Sequence, residues 1–353
     1  MSALLYQSVE HFSCILCCST YGSIAGIMHE LPIRPRRNRR SEAIRSLVRE
    51  TDLRPHHLIQ PLFVQEGNRR RSPISSLPGQ FRWSVDLAIR EAREIYKLGI
   101  PAIALFPVVP DRLKDKFAVE SKNPQGLLQH AVRAIKDAVP ELAVITDVAM
   151  DPYSSDGHDG VFEKGRILND ETLVILGEMA LSQAAAGADI VAPSDMMDGR
   201  VGYIRRVLDQ NGYSEVGILA YSAKYASSFY GPFRDALSSQ PKKGDKKSYQ
   251  MDPANLKEAL REVQLDIQEG ADMVMVKPAH TYLDVIRYIS EHVQVPVAAY
   301  HVSGELAMLH AAARMKMLDL DRALLEVLVS IRRAGAQMIL TYAAKDVVKR
   351  LLV

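Results

Sequence analysis

The sequence predicts an α/β protein, a closed (β/α)₈ barrel of the TIM type with an extended N-terminal arm, on three observations. Beyond residue 55, short apolar runs rich in Val, Ile, Ala and Leu recur, each followed by a stretch of helical spacing, and there are eight such pairs. The runs are apolar along their whole length, as strands covered on both faces of a parallel sheet must be. The 353 residues leave one or two domains open, and a single barrel of about 250 to 350 residues fits that length. A doubly wound open sheet is the alternative, but no G-x-G-x-x-G follows the first strand.

In chain order, residues 1–27 read as a flexible leader. They contain no Lys or Arg, and Glu10 with His11 interrupts their apolar stretch, so the basic n-region of a signal peptide is missing. Met28 opens a sequence that reads as a natural start, so the leader is an extension or follows an alternative start. Residues 28–54 form the arm, with five arginines in the seven residues Arg34 to Arg40. Set against a net charge of +2, this run reads as a solvated arm and not as a nucleic-acid patch. The barrel occupies 55–353. Its strands are expected near 58–64, 102–108, 143–149, 189–193, 217–222, 272–277, 296–301 and 337–341. Helices are expected at 85–98, 124–138, 170–187, 200–211, 253–269, 281–292, 304–315 and 320–334.

Composition narrows the function. With 47% hydrophobic and 24% charged residues, disorder is excluded. No apolar run reaches the length of a membrane span, so neither a membrane nor a nucleic acid is an expected partner, and the expected compartment is the cytoplasm. Cys14, Cys17 and Cys18 are the only thiols. The barrel therefore holds no disulfide, and the single C-x-x-C lacks the second pair a zinc site needs.

Barrel chemistry lies at the C-terminal ends of strands. Strand five ends in Ala220-Tyr-Ser-Ala-Lys224 and strand six in Asp272-Met-Val-Met-Val-Lys277-Pro278. A strand-end lysine can be a snorkelling or ion-paired side chain, but two on adjacent strands raise each other's ionisation cost. That favours the neutral amine, the form that attacks a carbonyl. The third strand opens into Asp147, Asp151, Asp156, His158 and Asp159, four carboxylates and a histidine in thirteen residues. Such hard oxygen ligands suit Mg2+ better than zinc, or the segment is a polar turn. Asp198, after strand four, reads as the N-cap of the next helix. The long insertion from Tyr225 to Gln250 reads as a lid or a binding loop, with Arg234 and Lys246 available for an anion. Ser303 and Tyr342, after strands seven and eight, offer hydroxyls for a second carboxylate.

The segment Gly270-Ala-Asp272-Met-Val-Met-Val-Lys277-Pro278-Ala-His-Thr-Tyr282 resembles the active-site signature of the porphobilinogen synthase, or delta-aminolevulinic acid dehydratase, family. The resemblance runs from about Leu31 to the C-terminus through Ala192–Arg200, Tyr221–Asp235, Ser248–Pro253 and Tyr300–Glu305. It implies a lyase that condenses two molecules of 5-aminolevulinate into porphobilinogen in tetrapyrrole synthesis. By it, Lys277 matches the lysine forming a Schiff base with the first substrate, and Lys224 the partner engaging the second. Arg234 and Lys246, with Gln250 close by, correspond to the second substrate's carboxylate clamp, and Ser303 and Tyr342 to the first's. Where zinc-dependent members carry three cysteines, this chain has Ala149, Asp151 and Asp159. That is similar to the aspartate-rich branch, for which Mg2+ and no catalytic zinc is expected, with Asp147, Asp151 and Asp159 binding an active-site cation or replacing it electrostatically. Asp156 stands where many relatives have histidine, so that histidine's proton-transfer role does not carry over. Glu262 matches the ligand of a separate, allosteric Mg2+ in octameric relatives, and the arm resembles one that wraps a neighbouring subunit, which implies self-association as a homo-octamer, with a hexamer on the same barrel as the alternative. The rival enzyme is another class I Schiff-base aldolase on the same barrel, expected to need one lysine and a phosphate site. A rival of another class is a silent scaffold or sensor that binds aminolevulinate.

Overall fold

The computed structural model describes residues 32–237 and 239–352. The leader with its cysteines, and the first residues of the arm, lie outside the described residues. The chain divides after Glu50 into two units, against an expected boundary at residue 54. In the first, a 3-10 turn at Pro35–Arg39 precedes a helix at Glu42–Leu47. Ser41 caps that helix by accepting from the Ile44 N–H at 3.3 Å, and Glu42 pairs with Arg45 and Arg49 in full solvent exposure.

The second unit is the barrel. Its strands are β1 (Leu58–Gln65), β2 (Ala102–Pro107), β3 (Ala143–Val148), β4 (Ile190–Pro193), β5 (Gly217–Lys224), β6 (Met273–Lys277), β7 (Val297–His301) and β8 (Met338–Thr341). Each pairs in parallel with the next, and β1 closes the ring on β8 through Leu58 opposite Ile339. All eight expected strands and eight expected helices are present, with ends shifted by a few residues. The strands are apolar because their outer face meets helices and their inner face fills the barrel, where Phe63, Phe106, Tyr221, Tyr300 and Tyr342 are buried.

Two antiparallel hairpins were not foreseen. Arg71–Pro73 pairs with Phe81–Ser84, and Val161–Glu163 with Arg166–Leu168. Asp198 is not a helix cap. The helix Arg200–Gln210 starts from Gly199 at φ 77, a left-handed conformation that glycine adopts without a Cβ penalty, and the Asp198 N–H instead donates to Asn169 at 2.8 Å.

One irregularity positions the chemistry. Between Val274 and Val276 the pairing of β6 shifts on β5, so Val274 faces Ala220 but Val276 faces Ala223. The extra residue in β5 brings Lys224 directly opposite Lys277. Without it Lys277 would lie opposite Ala223, and Lys224 would fall out of register with it.

A buried ion pair ties the start of the helix Arg200–Gln210 to the helix Lys257–Glu269. Arg200 donates to both Asp266 oxygens at 2.7 and 2.9 Å, with both side chains 3% exposed. Asp266→Ala leaves that buried guanidinium only the more distant Asp195 carboxylate at 4.0 Å, and should lower unfolding free energy by about 2–4 kcal/mol. Urea denaturation would measure it, and a loss under about 1 kcal/mol would show that the pair is not desolvated.

Candidate active site

At the C-terminal mouth of the barrel, Lys277 and Lys224 are 5% exposed and side by side on neighbouring strands. Their surroundings differ. The Lys277 Nζ lies 4.6 Å from the ring centre of Tyr300, 5.0 Å from Phe233, and 5.1 Å from Tyr221 and Tyr230. Among the described residues, no oxygen accepts a hydrogen bond from it. Burial, and then the repulsion of Lys224, push its amine down to about 7, against the pull of Asp147, Asp151 and Asp159. Lys224 instead donates to the Ser194 carbonyl and sits 3.7 Å from Asp159. One amine is thus free to lose its proton, and the other is placed among anions.

The main chain of Lys277 is held as firmly as its side chain is free. Its carbonyl accepts from the Tyr225 N–H at 3.0 Å and the Tyr230 hydroxyl at 3.1 Å. Both tyrosines come from the insertion after β5, in which Ser228–Tyr230 forms a 3-10 turn and Gly231–Leu237 a helix. That helix lowers Phe233 onto the barrel, 5.2 Å from Phe106 and 5.9 Å from Phe63. The insertion therefore covers the barrel mouth, with an aromatic plug beside the Lys277 amine.

The aspartates of the β3 loop meet the lid. Lys246 Nζ donates to Asp159 at 3.1 Å and Asp151 at 3.3 Å, all three side chains being buried. Burial alone would raise the Asp159 carboxyl, yet Lys224 and Lys246 hold it down at about 2. Burial, reinforced by Asp151, pushes Asp147 up to about 7 against Lys224 and a hydrogen bond from Ser194. Asp147 and Lys277 therefore exchange protons in the same pH range. His158 completes the contact, with its Nε2 2.9 Å from the Lys243 carbonyl and its Nδ1 3.2 Å from the Tyr249 hydroxyl. The Asp156 carbonyl accepts from the Lys242 N–H at 3.0 Å, and its own N–H donates to Ser154.

The residues expected to clamp carboxylates lie around the same mouth. Arg234 is half-buried, 5.9 Å from the Tyr230 ring centre, and close enough to Lys246 to repel it. Gln250 is buried, and among the described residues its Oε1 has no donor. Ser303 Oγ accepts from the Phe233 N–H at 3.0 Å, and the Tyr342 hydroxyl lies 2.9 Å from that of Tyr300. Tyr342 also stacks on Phe63, so the Ser303 and Tyr342 hydroxyls both border the aromatic plug. Lys246 is where sequence reasoning diverges: it meets the aspartates themselves.

That contact bears on metal binding. Asp151 and Asp159 direct oxygens at an ammonium, and among the described residues no group of three or more His, Cys, Asp or Glu is arranged to hold a metal ion. In this arrangement Asp147, Asp151 and Asp159 do not fit a bound Mg2+, since Lys246 supplies the neutralising charge. Glu262 borders a cleft with Asp198, Glu258 and Asp266, and burial and these three carboxylates push its own carboxyl up against Arg200. Arg200, Lys257 and Arg261 line the same cleft and Arg200 already holds Asp266, so here too, among the described residues, no three acidic groups converge as a metal site, and a Mg2+ at Glu262 would rest on one or two carboxylates and retained waters.

Sequence reasoning missed the aromatic cage of Tyr221, Tyr230, Phe233 and Tyr300 around Lys277, the Ser194 carbonyl that anchors Lys224, and Glu305. Tyrosine spacing at strand ends was the one available signal for the cage.

A family model described as delta-aminolevulinic acid dehydratase matches residues 32–350. The chain is 53% identical to a delta-aminolevulinic acid dehydratase of Chlamydia pneumoniae, covering 90% of this chain and 96% of that one. It is 54% identical to the one of Bradyrhizobium diazoefficiens, over 94% of each. It is also 55% identical to a chloroplastic relative from Physcomitrium patens, over 89% of this chain and 73% of that one. Among solved structures it is similar to the delta-aminolevulinic acid dehydratase (porphobilinogen synthase) of Toxoplasma gondii ME49 in complex with the reaction product porphobilinogen. There the TM-score is 0.89 and the identity 52%, over 92% of each chain.

Proposed function

The chain belongs to the delta-aminolevulinic acid dehydratase family, and from that membership we infer that it condenses two molecules of delta-aminolevulinate into porphobilinogen with loss of two waters. It is a lyase of tetrapyrrole synthesis. The observation that carries the mechanism is a pair of buried lysines in register, one without a hydrogen-bond acceptor among the described residues and with its amine pushed down to about 7.

Lys277 in its neutral form adds through Nζ to the ketone carbon of the first substrate, and the carbonyl oxygen leaves as water. The protonated imine acidifies the neighbouring C–H, and we assign the taking and returning of that proton to Asp147, whose carboxyl burial pushes up to about 7. Lys224 engages the second ketone. When the product closes, one carbon–carbon and one carbon–nitrogen bond stand in place of the two ketone oxygens, and both amines are released unchanged. Ser303 and Tyr342 orient the first carboxylate beside the plug, and Arg234, Lys246 and Gln250 the second. Lys246 reaches its substrate by exchanging Asp151 and Asp159 for the incoming carboxylate. The orphan Gln250 Oε1 fits a site completed by ligand. Against the single-lysine aldolase reading stand the two lysines and the hydroxyl clamps.

We further propose that Glu262 holds a Mg2+ that acts at a distance, that the chain assembles as a homo-octamer through its arm, and that it works in the cytoplasm. Among the described residues no helix is long and apolar enough to cross a membrane. Relatives named chloroplastic make the plastid the alternative compartment.

Borohydride reduction in the presence of delta-aminolevulinate, followed by peptide mass mapping, should place an adduct on Lys277. Since the neutral amine reacts, adduct yield should rise with pH and reach half its maximum near 7, not near the ordinary lysine value of about 10.5. Porphobilinogen formation without an adduct on Lys277 would overturn the mechanism, and an adduct titrating above 9 would overturn the role of the cage.

A further inference from the structure

Glu305 is fully buried, yet its partners are backbone N–H groups and not a cation. One oxygen accepts from His280 at 2.7 Å and Thr281 at 3.3 Å, and the other from Val302 at 2.8 Å. The first two donors belong to the turn that follows Lys277-Pro278 and leads into the helix Leu283–His292. The third belongs to the residue before Ser303, where the helix Ser303–Arg314 begins. A single carboxylate thus joins the starts of two helices, whose dipoles and free N–H groups both favour an anion. Burial pushes the Glu305 carboxyl up to about 7 against the pull of those donors.

The neighbouring contacts explain why this joint matters. Ser303 Oγ accepts from the Phe233 N–H of the lid helix. A Cβ on Gly304 would come within 2.4 Å of the Phe229 carbonyl, so the helix start and the lid root are in direct backbone contact. The main chain of Lys277 is held on its carbonyl side by Tyr225 and Tyr230. Just beyond Pro278, Glu305 holds the turn that follows.

We propose that Glu305 is a positioning residue that fixes the span between the amine of Lys277 and the hydroxyl of Ser303, so that one substrate molecule can meet both at once. The inference rests on the reading of Lys277 as the Schiff-base lysine and of Ser303 as part of the first carboxylate clamp. A substrate tethered at its ketone and its carboxylate measures that span. Loosening the joint weakens initial binding more than it slows a substrate already bound.

The test is borohydride trapping at Lys277 over a range of delta-aminolevulinate concentrations, with steady-state kinetics on the same proteins. Glu305→Gln keeps the size but turns one acceptor into a donor facing an N–H. It should raise the half-saturating concentration for trapping by about tenfold or more, with a smaller fall in kcat. Glu305→Asp keeps the charge one methylene short and should recover part of that loss. If Glu305→Gln is folded by circular dichroism and traps with a half-saturation within twofold of the parent, the proposal is wrong. If Glu305→Gln does not fold, the Asp variant decides: unchanged half-saturation with a lowered Tm marks a merely structural role. Absence of any adduct on Lys277 in the parent enzyme would identify the underlying reading as the failure, and would take this inference with it.

Discussion

Lys277→Met should reduce porphobilinogen formation by about 10⁴-fold or more and abolish the borohydride adduct, while the protein stays folded. The substitution keeps the length and apolar stem of the side chain and removes only the amine. Met is suited to this position because the four surrounding rings accept a thioether as readily as an amine. Lys277 also carries an unfavourable burden in the resting enzyme, since both burial and Lys224 oppose its charged form. Removing it relieves that conflict, so the variant should melt at the same temperature as the parent or above it. The combination is diagnostic. Lost turnover with unchanged or raised Tm separates a chemical role from a structural one, and residual turnover above about 1% of the parent would show that another amine carries the reaction.

Much of the barrel was legible because parallel strands buried on both faces leave continuous apolar runs, and the helices between them leave a different period. The hairpins were not. Arg71–Pro73 and Phe81–Ser84 are short and carry Arg71 and Arg82, so they show neither length nor alternation. Arg71 is held by its guanidinium lying 3.5 Å from the Phe81 ring centre, a cross-strand contact that local sequence does not announce. The two strand-end lysines were legible as a pair, but their exact pairing depends on the extra residue in β5, and a run such as Leu219-Ala-Tyr-Ser-Ala is silent about where a strand bulges.

The division of labour among the charged residues was half legible. Composition flagged the acidic loop after β3 and the basic lid separately, and each suggested its own ligand. Lys246 lies 95 residues from Asp151 and 87 from Asp159, and only the closed ring of strands brings the segments together. Once they meet, the aspartates satisfy the lysine, which is why a loop that resembles a cation site in sequence neutralises itself in the fold. The same reasoning accounts for Glu305. In sequence it is a glutamate at the start of a helix, a common stabilising choice. Its reach across to the turn after Lys277 is a property of neighbouring strand ends.

Lys224→Met has the second large effect, and its value lies in what survives. Turnover should fall by about 10³-fold or more, because the second ketone loses the amine that engages it. The adduct on Lys277 should remain, since the first substrate's lysine, cage and clamp are untouched. Its pH dependence should move upward. Lys224 is the largest charged influence depressing the Lys277 amine, so removing it lets Lys277 hold its proton to higher pH and shifts the midpoint of trapping above about 7. Asp159→Asn should do the reverse, because Asp159 favours the charged form of Lys277, and its loss lowers the midpoint. These two shifts of opposite sign, read on the same adduct, test the electrostatic coupling of the pair independently of turnover. A midpoint that stays near 7 in both variants would mean that burial alone sets the Lys277 amine, and that the register of the two lysines serves only to place the second substrate.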